Sequence, residues 1–597
     1  ALWDTLDVIG TKGSQFLLPG THLYETRYFP EARLNYAENL LREPDERLAM
    51  VVVQEDGTRR SLTRAQLYAQ VSRCVQALLA EGIGQGDRVA AIVTHDLEAL
   101  TVYLACASIG AVWSSCSPDF GGSAACDRLG QIAPKLLLAV PHYYYGGKRH
   151  DCSATIHAVA RSTGVQRVIL TSPVTDATSA ELLSELPVAT LDEWLTPWTP
   201  ATIPFVRLPF DAPLVILFSS GTTGKPKAIV HRAGGLLLQH MKELQLHCDL
   251  RAGERFFYYT TCGWMMWNWQ VSALALGATL YSYDGNPMYP AASRLLDLCE
   301  AEQLHIFGTS ARYLDACAQA ELTPRSSHDF SALRLVLSTG SALLPATFDY
   351  VYRDWSNELQ LCSISGGTDI CGCFLGGNPL LPVRRGELQC ALLGMDMAIL
   401  DDAGEPLSGQ AGELVCRSAH PSQPLQFWND DDGSRYHQAY FARFPGAWTQ
   451  GDYAEQFPSG GFVIHGRSDT TLNPGGVRIG TAEIYRQLED CEVVLEALAV
   501  GQQWQGDERV VLFLRLRADA HLDAALEQDI RRRIRHGATP RHVPARILAV
   551  SDFPRTRSGK LSEMAVRDVM NGREPKNLQA LANPEILDAF RACATEL

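Results

Sequence analysis

The chain of 597 residues is longer than a single hydrophobic core normally supports, so its length predicts two or more domains. Hydrophobic residues make up 46% and charged residues 20% of the sequence, which is typical of a globular protein. The formal net charge of −15 argues against broad electrostatic binding, so we expect no nucleic-acid partner and no membrane partner. An anionic substrate would need local positive groups inside a pocket.

The 16 cysteines are scattered and form no C-x-x-C pair, which is typical of buried free thiols rather than of disulfides or metal sites. The first residues lack a basic region followed by a long apolar stretch, so we expect no secretory signal in this sequence. No apolar run approaches the roughly 20 residues that a membrane-spanning helix needs. These features predict a reducing, cytoplasmic location.

The first part of the chain alternates short apolar runs with longer helical stretches. Residues 88–93 are strand-like and residues 97–108 are helical. Strands separated by helices of this length indicate an α/β fold with parallel sheets. The other predicted buried strands are 136–140, 168–170, 214–218, 256–260 and 333–337.

The pattern changes after about residue 394, where short strands such as 397–400 and 412–417 alternate with Gly/Asp turns. Such a pattern favours a small antiparallel barrel or subdomain. Beyond residue 466 the sequence predicts a compact α+β module. Its predicted helices are 481–490 and 524–536, and its predicted strands are 497–500, 510–516 and 546–550.

A loop rich in glycine, hydroxyl and lysine side chains follows the apolar run 214–218. Glycines let backbone N–H groups approach a phosphate, hydroxyls donate hydrogen bonds to its oxygens, and lysines supply positive charge. The loop is not a Walker A motif, because its Gly-Lys pair is followed by proline. Taken alone, it predicts either a polyphosphate site, with ATP as the first candidate, or a polar surface turn. Its residues are Ser219, Ser220, Gly221, Thr222, Thr223, Gly224, Lys225, Pro226 and Lys227.

Four further motifs follow this loop in order. They are Gly367-Thr368-Asp369, Gly451-Asp452, the segment 466–478, and the segment 554–560 that ends in Ser558-Gly559-Lys560. Together with residues 28–40 they resemble the adenylate-forming acyl-CoA synthetases, the superfamily that includes luciferases and peptide-synthetase adenylation domains. The resemblance covers nearly the whole chain. It implies a large N-terminal domain (1–468) of parallel α/β sheets with a small β-barrel subdomain, followed by a small mobile α+β C-terminal domain (469–597).

The resemblance also implies how ATP is held. The 219–227 loop would close over the β- and γ-phosphates, and Thr368 would touch the α-phosphate. Asp369 would help to hold Mg²⁺, which prefers hard oxygen ligands. Asp452 would accept hydrogen bonds from both ribose hydroxyls. The remaining candidate nucleotide-binding residues are Gly340, Ser341, Gly367, Arg467 and Arg478.

For catalysis the resemblance implies a role for Lys560, because a lysine between the carboxylate and the α-phosphate neutralises the charge that develops there. Asp469 would be the hinge that lets the C-terminal domain turn between two half-reactions. Gly475 would line the path of the CoA pantetheine, and Lys148 would contact the nucleotide of coenzyme A. An enzyme that acetylates Lys560 is a further candidate partner.

Two segments bear on the identity of the acid. Residues 260–269, with Trp264, Met265, Met266 and Asn268, and residues 363–370 resemble the acetoacetate-activating members of the superfamily; packing of core aromatics is the alternative for the first segment. In acetate-activating relatives a tryptophan two residues before the adenylate-contacting threonine walls off the acyl pocket, and Gly366 stands there in this chain. The missing side chain predicts room for a four-carbon acid. Acetoacetate is the first candidate, with butyrate or a branched short acid as the alternative, and the donor to the 3-keto oxygen stays open among Asn268, Ser365 and Thr261.

Two other classes of enzyme and one class of non-enzyme would share part of this pattern. A phosphotransferase would use the same ATP loop but release ADP, and a carrier-loading adenylation module would pass its acid to a carrier domain, of which this sequence shows none after Lys560. A binding or scaffolding module has no use for a hinge, a ribose carboxylate and a mobile lysine together. The predicted activity is therefore ligation of a short acid to coenzyme A through an acyl adenylate, at the expense of ATP.

Overall fold

The computed structural model describes residues 1–219, 226–468, 470–472, 474, 479–504, 507–538, 540–557, 559–575 and 578–596. The predicted α/β architecture is confirmed: two large, mainly parallel sheets are followed by smaller antiparallel sheets and a separate C-terminal sheet.

The first large sheet has eight strands, of which the first six in sheet order run parallel. Most of these strands are buried apolar runs, as expected for a parallel sheet covered on both faces. The two last strands are antiparallel additions at the edge. In sheet order the strands are Val188–Thr190, Arg167–Leu170, Leu136–Ala139, Arg88–Ile92, Val112–Cys116, Pro213–Ser219, Lys227–Arg232 and Gln426–Phe427.

The second large sheet has seven strands, all parallel except for the last pair. Ligands of open α/β sheets bind beyond the carboxyl ends of the strands, and the predicted residues Gly340 and Ser341 follow such an end directly. In sheet order the strands are Gln360–Ser363, Leu335–Thr339, Ile306–Ser310, Arg255–Tyr258, Thr279–Asp284, Leu48–Gln54 and Arg59–Thr63.

Helices cover these sheets, and side chains from both sheets and their helices merge into one extended core. Helix Leu97–Ile109 is buried all round, which explains its uniformly apolar sequence. The helices of this part are Leu2–Thr5, Tyr36–Leu40, Arg64–Ala80, Leu97–Ile109, Gly122–Leu129, Ser153–Thr163, Ala177–Leu183, Leu191–Leu195, Ala233–Lys242, Met265–Val271, Arg294–Ala301, Ala311–Gln319, Pro324–Ser327, Pro345–Tyr350 and Ser434–Tyr440.

Two antiparallel sheets lie between the large sheets and the C-terminal part. The first contains a hairpin of Ser365–Gly367 and Gly372–Gly376, which we call the Thr368 hairpin because that residue lies in its turn, and the strand Cys390–Ala391. The second is a five-stranded antiparallel sheet, and it lies in the part of the chain where the sequence predicts the small barrel subdomain. Its strands are, in sheet order, Pro406–Leu407, Met397–Leu400, Ala411–Cys416, Trp448–Gln456 and Phe462–Arg467.

The C-terminal sheet consists of Val494–Trp504, Asp507–Leu516 and Arg546–Ala549. Its side chains alternate between two separate cores, one on each face, as the period of two in a strand requires. The predicted helix 481–490 is shorter than expected: the α-helix ends at Tyr485 and continues as the 3₁₀ turn Arg486–Leu488. The other helices here are Ala524–Gly537, Glu563–Met570 and Leu587–Glu596.

Three small strand pairings complete the fold. They are the sheet Gly10–Thr11, Arg33–Leu34 and Leu208–Pro209, the pair Leu17–Leu18 and Arg27–Tyr28, and the hairpin His142–Tyr145 and Lys148–Asp151. None of the 16 cysteines forms a disulfide, and most of them are buried. Within the described ranges, no helix has the length and apolar character needed to cross a bilayer.

Candidate active site

The ends of the predicted phosphate loop lie opposite each other. Ser219 is the last residue of the strand Pro213–Ser219, and Lys227 is the first residue of the strand Lys227–Arg232. The two residues are direct partners in the antiparallel ladder between these strands. The loop therefore connects two hydrogen-bonded strands at the carboxyl edge of the parallel part. The Ser219 hydroxyl is buried and has no hydrogen-bond partner among the described residues. Residues 220–225 of the predicted loop lie outside the described residues.

Asp369 lies at the turn of the Thr368 hairpin and is held by two side chains. The Lys227 ammonium donates to its Oδ1 at 2.7 Å, and the Tyr440 hydroxyl donates to the same oxygen. The ammonium also lies 4.9 Å from the centre of the Tyr440 ring. Burial alone would raise the pKa of Asp369, but the charge and hydrogen bond of Lys227 and the hydrogen bond of Tyr440 hold that pKa below its usual value. The Asp369 carboxylate is therefore kept ionised.

Asp452 and Arg467 are direct partners on neighbouring antiparallel strands. Arg467 Nη1 donates to Asp452 Oδ1 at 3.1 Å, and Gln450 Nε2 donates to Asp452 Oδ2 at 3.0 Å. Gln450 Nε2 also donates to the carbonyl of Gly366 at 3.2 Å, which ties the Asp452 strand to the Thr368 hairpin. Gly451, with φ of +85°, leaves room for the Arg467 guanidinium, since a Cβ there would lie 2.8 Å from Arg467 Nη2.

A cavity of about 280 Å³ opens beside these groups. Its wall combines the ring of Tyr440 with the polar side chains of Gln450 and Arg467. Such a mixture of an aromatic surface and a few polar groups is typical of a small-molecule site. The remaining lining residues are Glu413, Gln438, Ala439, Ala442, Arg443, Thr449, Gly451 and Ser468.

Lys560 lies at a tight turn of the C-terminal part. The turn is closed by backbone hydrogen bonds from Thr556 N to Lys560 O at 2.8 Å and from Gly559 N to Thr556 O at 2.8 Å. Arg312, in the helix Ala311–Gln319, donates to the Gly559 carbonyl at 3.4 Å. These contacts place the turn against the N-terminal part of the chain, next to the charged groups described above.

The surroundings of Lys560 lower its pKa. The side chain keeps contact with solvent, but the protein around it removes enough water that desolvation is the largest cause of the lowered pKa. The positive charge of Arg467 lowers the pKa further, and the carboxylates of Asp452 and Asp369 act in the opposite direction. All three charges belong to the predicted nucleotide site, so Lys560 and that site lie together.

The predicted acyl segment forms the helix Met265–Val271, which we call the aromatic helix. Trp267 packs against Tyr103 and Trp113, with ring centres at 5.1 and 6.4 Å. Met265 and Met266, at 8% and 7% exposure, are the least buried residues of this otherwise buried helix. Trp264 precedes the helix, close to the ring of Phe120.

The geometry around Gly366 does not support the volume argument made from the sequence. A Cβ at this position would lie 2.0 Å from the carbonyl oxygen of Gly372 and 2.6 Å from the Cα of Cys373. Real Cβ contacts are essentially never this short. Glycine is therefore required because the two strands of the Thr368 hairpin approach closely. The facing strand fills the space that a side chain at residue 366 would need, so no open pocket remains there.

Comparisons with known proteins agree with this arrangement. The family model for the AMP-binding enzyme matches residues 37–423, and the model for the AMP-binding enzyme C-terminal domain matches residues 486–560. An acetoacetyl-coenzyme A synthetase of Rhizobium meliloti is 54% identical over 590 residues, covering 99% of this chain and 90% of the relative. The acetoacetyl-CoA synthetase of Mus musculus is 44% identical over 573 residues, covering 94% and 85%.

The three-dimensional structure is also similar to that of a known protein. The solved structure of an acetoacetyl-CoA synthetase from Streptomyces lividans matches with a TM-score of 0.92 and 38% sequence identity, covering 100% of this chain and 92% of that chain. The chain belongs to the acetoacetyl-CoA synthetase family of AMP-binding enzymes.

Six of the residues that the sequence singled out lie together. Lys227 is hydrogen-bonded to Asp369, Arg467 is hydrogen-bonded to Asp452, and Gln450 joins Asp452 to Gly366 of the hairpin that also carries Asp369. The charges of Arg467, Asp452 and Asp369 act on Lys560. The hinge candidate Asp469, the pantetheine candidate Gly475 and the phosphate candidate Arg478 lie outside the described residues.

The predicted coenzyme A residue Lys148 lies apart from this cluster, whereas the segment around Phe120 lies close to it. Lys148 is exposed on the hairpin His142–Tyr145 and Lys148–Asp151 and makes no hydrogen bond to the nucleotide residues in the described part of the chain. Phe120 is better connected: Arg128 lies 4.4 Å and Arg557 5.8 Å from its ring centre, and Arg557 donates to the carbonyl of Asp119. This segment therefore meets the turn that carries Lys560.

Two residues of the site, Tyr440 and Gln450, were not predicted from the sequence. Tyr440 holds Asp369 and stacks on Trp448 at 3.8 Å between ring centres, but its short helix carries no motif. Gln450 bridges Asp452 and Gly366. A weak signal for Gln450 was present, because it lies two residues before Asp452 and so shares its face of the strand.

The lowered pKa of Lys560 leads to a pH prediction. The ammonium form is the one that can neutralise developing negative charge, so we expect the first half-reaction to slow as pH rises through the pKa of Lys560. Because this pKa is lowered, the loss should begin at a lower pH than for an ordinary lysine, whose pKa is about 10.4. The check is the pH profile of pyrophosphate release. In K560R, which stays charged, the alkaline limb should move to higher pH; the same limb in both proteins would assign it to another group.

Proposed function

We propose that this chain is an acid–thiol ligase that joins acetoacetate to coenzyme A and converts ATP to AMP and pyrophosphate. The observation that carries the proposal is the convergence of Lys560, from the C-terminal part, with Asp369, Asp452 and Arg467 from the N-terminal part. The names of the relatives, all acetoacetyl-CoA synthetases, support acetoacetate as the acid. Kinase-type transfer of the γ-phosphate would have no use for a lysine placed beside a predicted ribose carboxylate.

In the first proposed step a carboxylate oxygen of the acid attacks the α-phosphorus of ATP, and pyrophosphate leaves. Lys560 would neutralise the negative charge that builds up between the two reactants. Lys227 and the 219–227 loop would hold the departing phosphates, with Thr368 at the α-phosphate. Asp452 and Arg467 would fix the ribose, and Gly340 and Ser341 would also contact the nucleotide.

In the second proposed step the thiol sulfur of coenzyme A attacks the acyl carbon and AMP leaves. We propose that the C-terminal part, residues 469–597, turns about Asp469 between the two steps and that Gly475 and Lys148 then contact coenzyme A. The separate sheet and the two separate cores of the C-terminal part support a unit that can move as one body.

Asp369 fits the proposed role in holding Mg²⁺. Its Oδ1 is engaged by Lys227 and Tyr440, while Oδ2 accepts no hydrogen bond from the described residues. The described part of the chain contains no cluster of three or more metal-ligating side chains, so one carboxylate would act together with phosphate oxygens and water, as is usual for Mg²⁺. When bound, the cation would supply charge compensation at the phosphates.

Two further parts of the proposal concern the modification of Lys560 and the location of the protein in the cell. The solvent contact of the Lys560 side chain supports it as a target of an acetylating enzyme, and acetylation would remove the charge that the first step needs. The absence of disulfides among the 16 cysteines supports a reducing, cytoplasmic location.

The test is a pyrophosphate-release assay with acetoacetate, acetate, butyrate and 3-hydroxybutyrate, each with and without coenzyme A. We expect acetoacetate to give the highest kcat/KM and to yield acetoacetyl-CoA and AMP only when coenzyme A is present. Formation of ADP, or a preference for butyrate over acetoacetate, would refute the proposal.

A further inference from the structure

One polar side chain of the aromatic helix is buried without any partner. Asn268 is 0% exposed, and both its Nδ2 and its Oδ1 lack a hydrogen bond within the described ranges. Buried amides are nearly always paired, because leaving both the donor and the acceptor unsatisfied costs free energy. An unpaired buried amide therefore needs an explanation, such as an ordered water or a ligand that completes its hydrogen bonds.

The neighbours of Asn268 on the helix fix the direction in which it faces. Trp267 packs towards Tyr103 and Trp113 on one side, and Trp269 packs towards Phe256 on the other, with ring centres 5.7 Å apart. Since successive helix residues are about 100° apart, Asn268 projects between these two directions. It shares its face with Met265, three residues before it, and with Ser272, four residues after it.

This face is directed towards the Thr368 hairpin. The Ser272 hydroxyl lies 2.7 Å from Nδ1 of His240, and the other ring nitrogen of His240 donates to the carbonyl of Cys371. Cys371 closes the hairpin turn through a hydrogen bond from its N–H to the carbonyl of Thr368 at 3.3 Å. Burial lowers the pKa of His240 to about 4, so the ring is neutral and acts as a spacer between the helix and the turn.

We propose that the Asn268 amide donates a hydrogen bond to the 3-keto oxygen of acetoacetate and thereby selects this acid over butyrate. The inference rests on the proposed function, in which the carboxylate of the acid attacks the α-phosphorus that Thr368 would contact, and it adds that the carbon chain of the acid extends from there towards the aromatic helix. Acetoacetate and butyrate have four carbons each and differ at C3, where only acetoacetate offers an acceptor. With butyrate the Asn268 amide would stay buried and unpaired, which penalises that complex.

Asn268 fits this role better than the two other polar candidates. Ser365 is not among the buried unpaired groups, so solvent or protein already satisfies it. Thr261 has a buried unpaired hydroxyl but precedes the aromatic helix, and its carbonyl accepts from the N–H of Trp264 in the turn that leads into it. Only Asn268 is both completely buried and placed on the face that points to the hairpin.

The experiment compares kcat/KM of pyrophosphate release for acetoacetate and for butyrate in the wild type, in N268L and in T261V. N268L keeps a similar volume but has no donor. We expect it to lower the acetoacetate-to-butyrate ratio by roughly 10- to 100-fold, the effect of one buried hydrogen bond, while T261V keeps the ratio. W355F is the matched control, because Trp355 also has a buried unpaired N–H but lies in the core of the second sheet, away from the site.

An unchanged ratio in N268L, an equal loss with both acids, or a change in ratio in T261V alone would overturn the proposal. If N268L turns over neither acid, the same comparison in N268A decides the matter. An independent measurement is the infrared C=O stretch of [3-¹³C]acetoacetate bound to the protein, which should be lower in the wild type than in either variant. If the wild type itself releases no pyrophosphate with acetoacetate, the proposed function fails rather than the role of Asn268.

Discussion

Replacing Lys560 with alanine should abolish acid-dependent pyrophosphate release, with a loss of about 10²- to 10³-fold or more in kcat. The same variant should still form the thioester from supplied acyl adenylate and coenzyme A. The reason is that Lys560 lies where the charges of Arg467, Asp452 and Asp369 act on it, so its loss affects the step in which charge develops at the α-phosphate. The two half-reactions are measured separately, by pyrophosphate release and by thioester formation.

The matched control is Lys12→Ala. Lys12 pairs with the exposed Asp4 at the surface, 2.7 Å away, and takes no part in the site. Both half-reactions of this variant should match the wild type, because exposed ion pairs contribute little. Equal loss of both half-reactions in K560A would contradict the assigned role and would indicate that the turn around Lys560 is needed for folding instead.

The sequence predicted those features that local patterns determine. The apolar run 214–218 is the strand Pro213–Ser219, and the helix predicted at 97–108 is observed at Leu97–Ile109, because hydrophobic runs and capping residues act over a few positions. The position of Lys560 next to the nucleotide residues followed from the resemblance, since it depends on how two distant parts of the chain meet.

Contacts between distant segments could not be predicted in this way. Lys227 and Asp369 are 142 positions apart and meet because the strand Lys227–Arg232 of the first sheet begins beside the Thr368 hairpin. Tyr440 joins them from a helix in a third region. No motif specifies such a contact among three residues, because it depends on the packing of three elements that are far apart in the sequence.

The Lys227–Asp369 pair also shows how a protein with net charge −15 can prepare a site for a polyanion. The positive charges of Lys227, Arg467 and Lys560 are concentrated at one place, and two of them are paired with carboxylates. Pairing lowers the cost of keeping these charges together in the free protein, since like charges at short range repel. When phosphates arrive, Lys227 can exchange its carboxylate partner for a phosphate oxygen.

Replacing Gly366 with alanine should lower kcat/KM for every acid by about 10²-fold or more, without favouring acetate. The added Cβ would lie 2.0 Å from the carbonyl oxygen of Gly372, so the two strands of the Thr368 hairpin must move apart. Overpacking of this kind typically costs about 1–3 kcal/mol of stability. The displaced hairpin also carries Thr368 and Asp369, and misplacing reacting groups by about 1 Å can cost 10²-fold in rate. The measurement is pyrophosphate release with acetoacetate and with acetate.

Gly84→Ala provides the control, because a Cβ at Gly84 would meet no atom within 4 Å and its backbone needs no positive φ. That variant should keep the activity and the melting temperature of the wild type. A G366A enzyme that lost acetoacetate activity but kept or gained acetate activity would show that Gly366 acts through the volume of the acyl pocket. Loss with both acids, together with a lower melting temperature, would show that Gly366 acts through the spacing of the hairpin. In that case the choice of acid has to come from side chains that face the substrate, with Asn268 as the first of them.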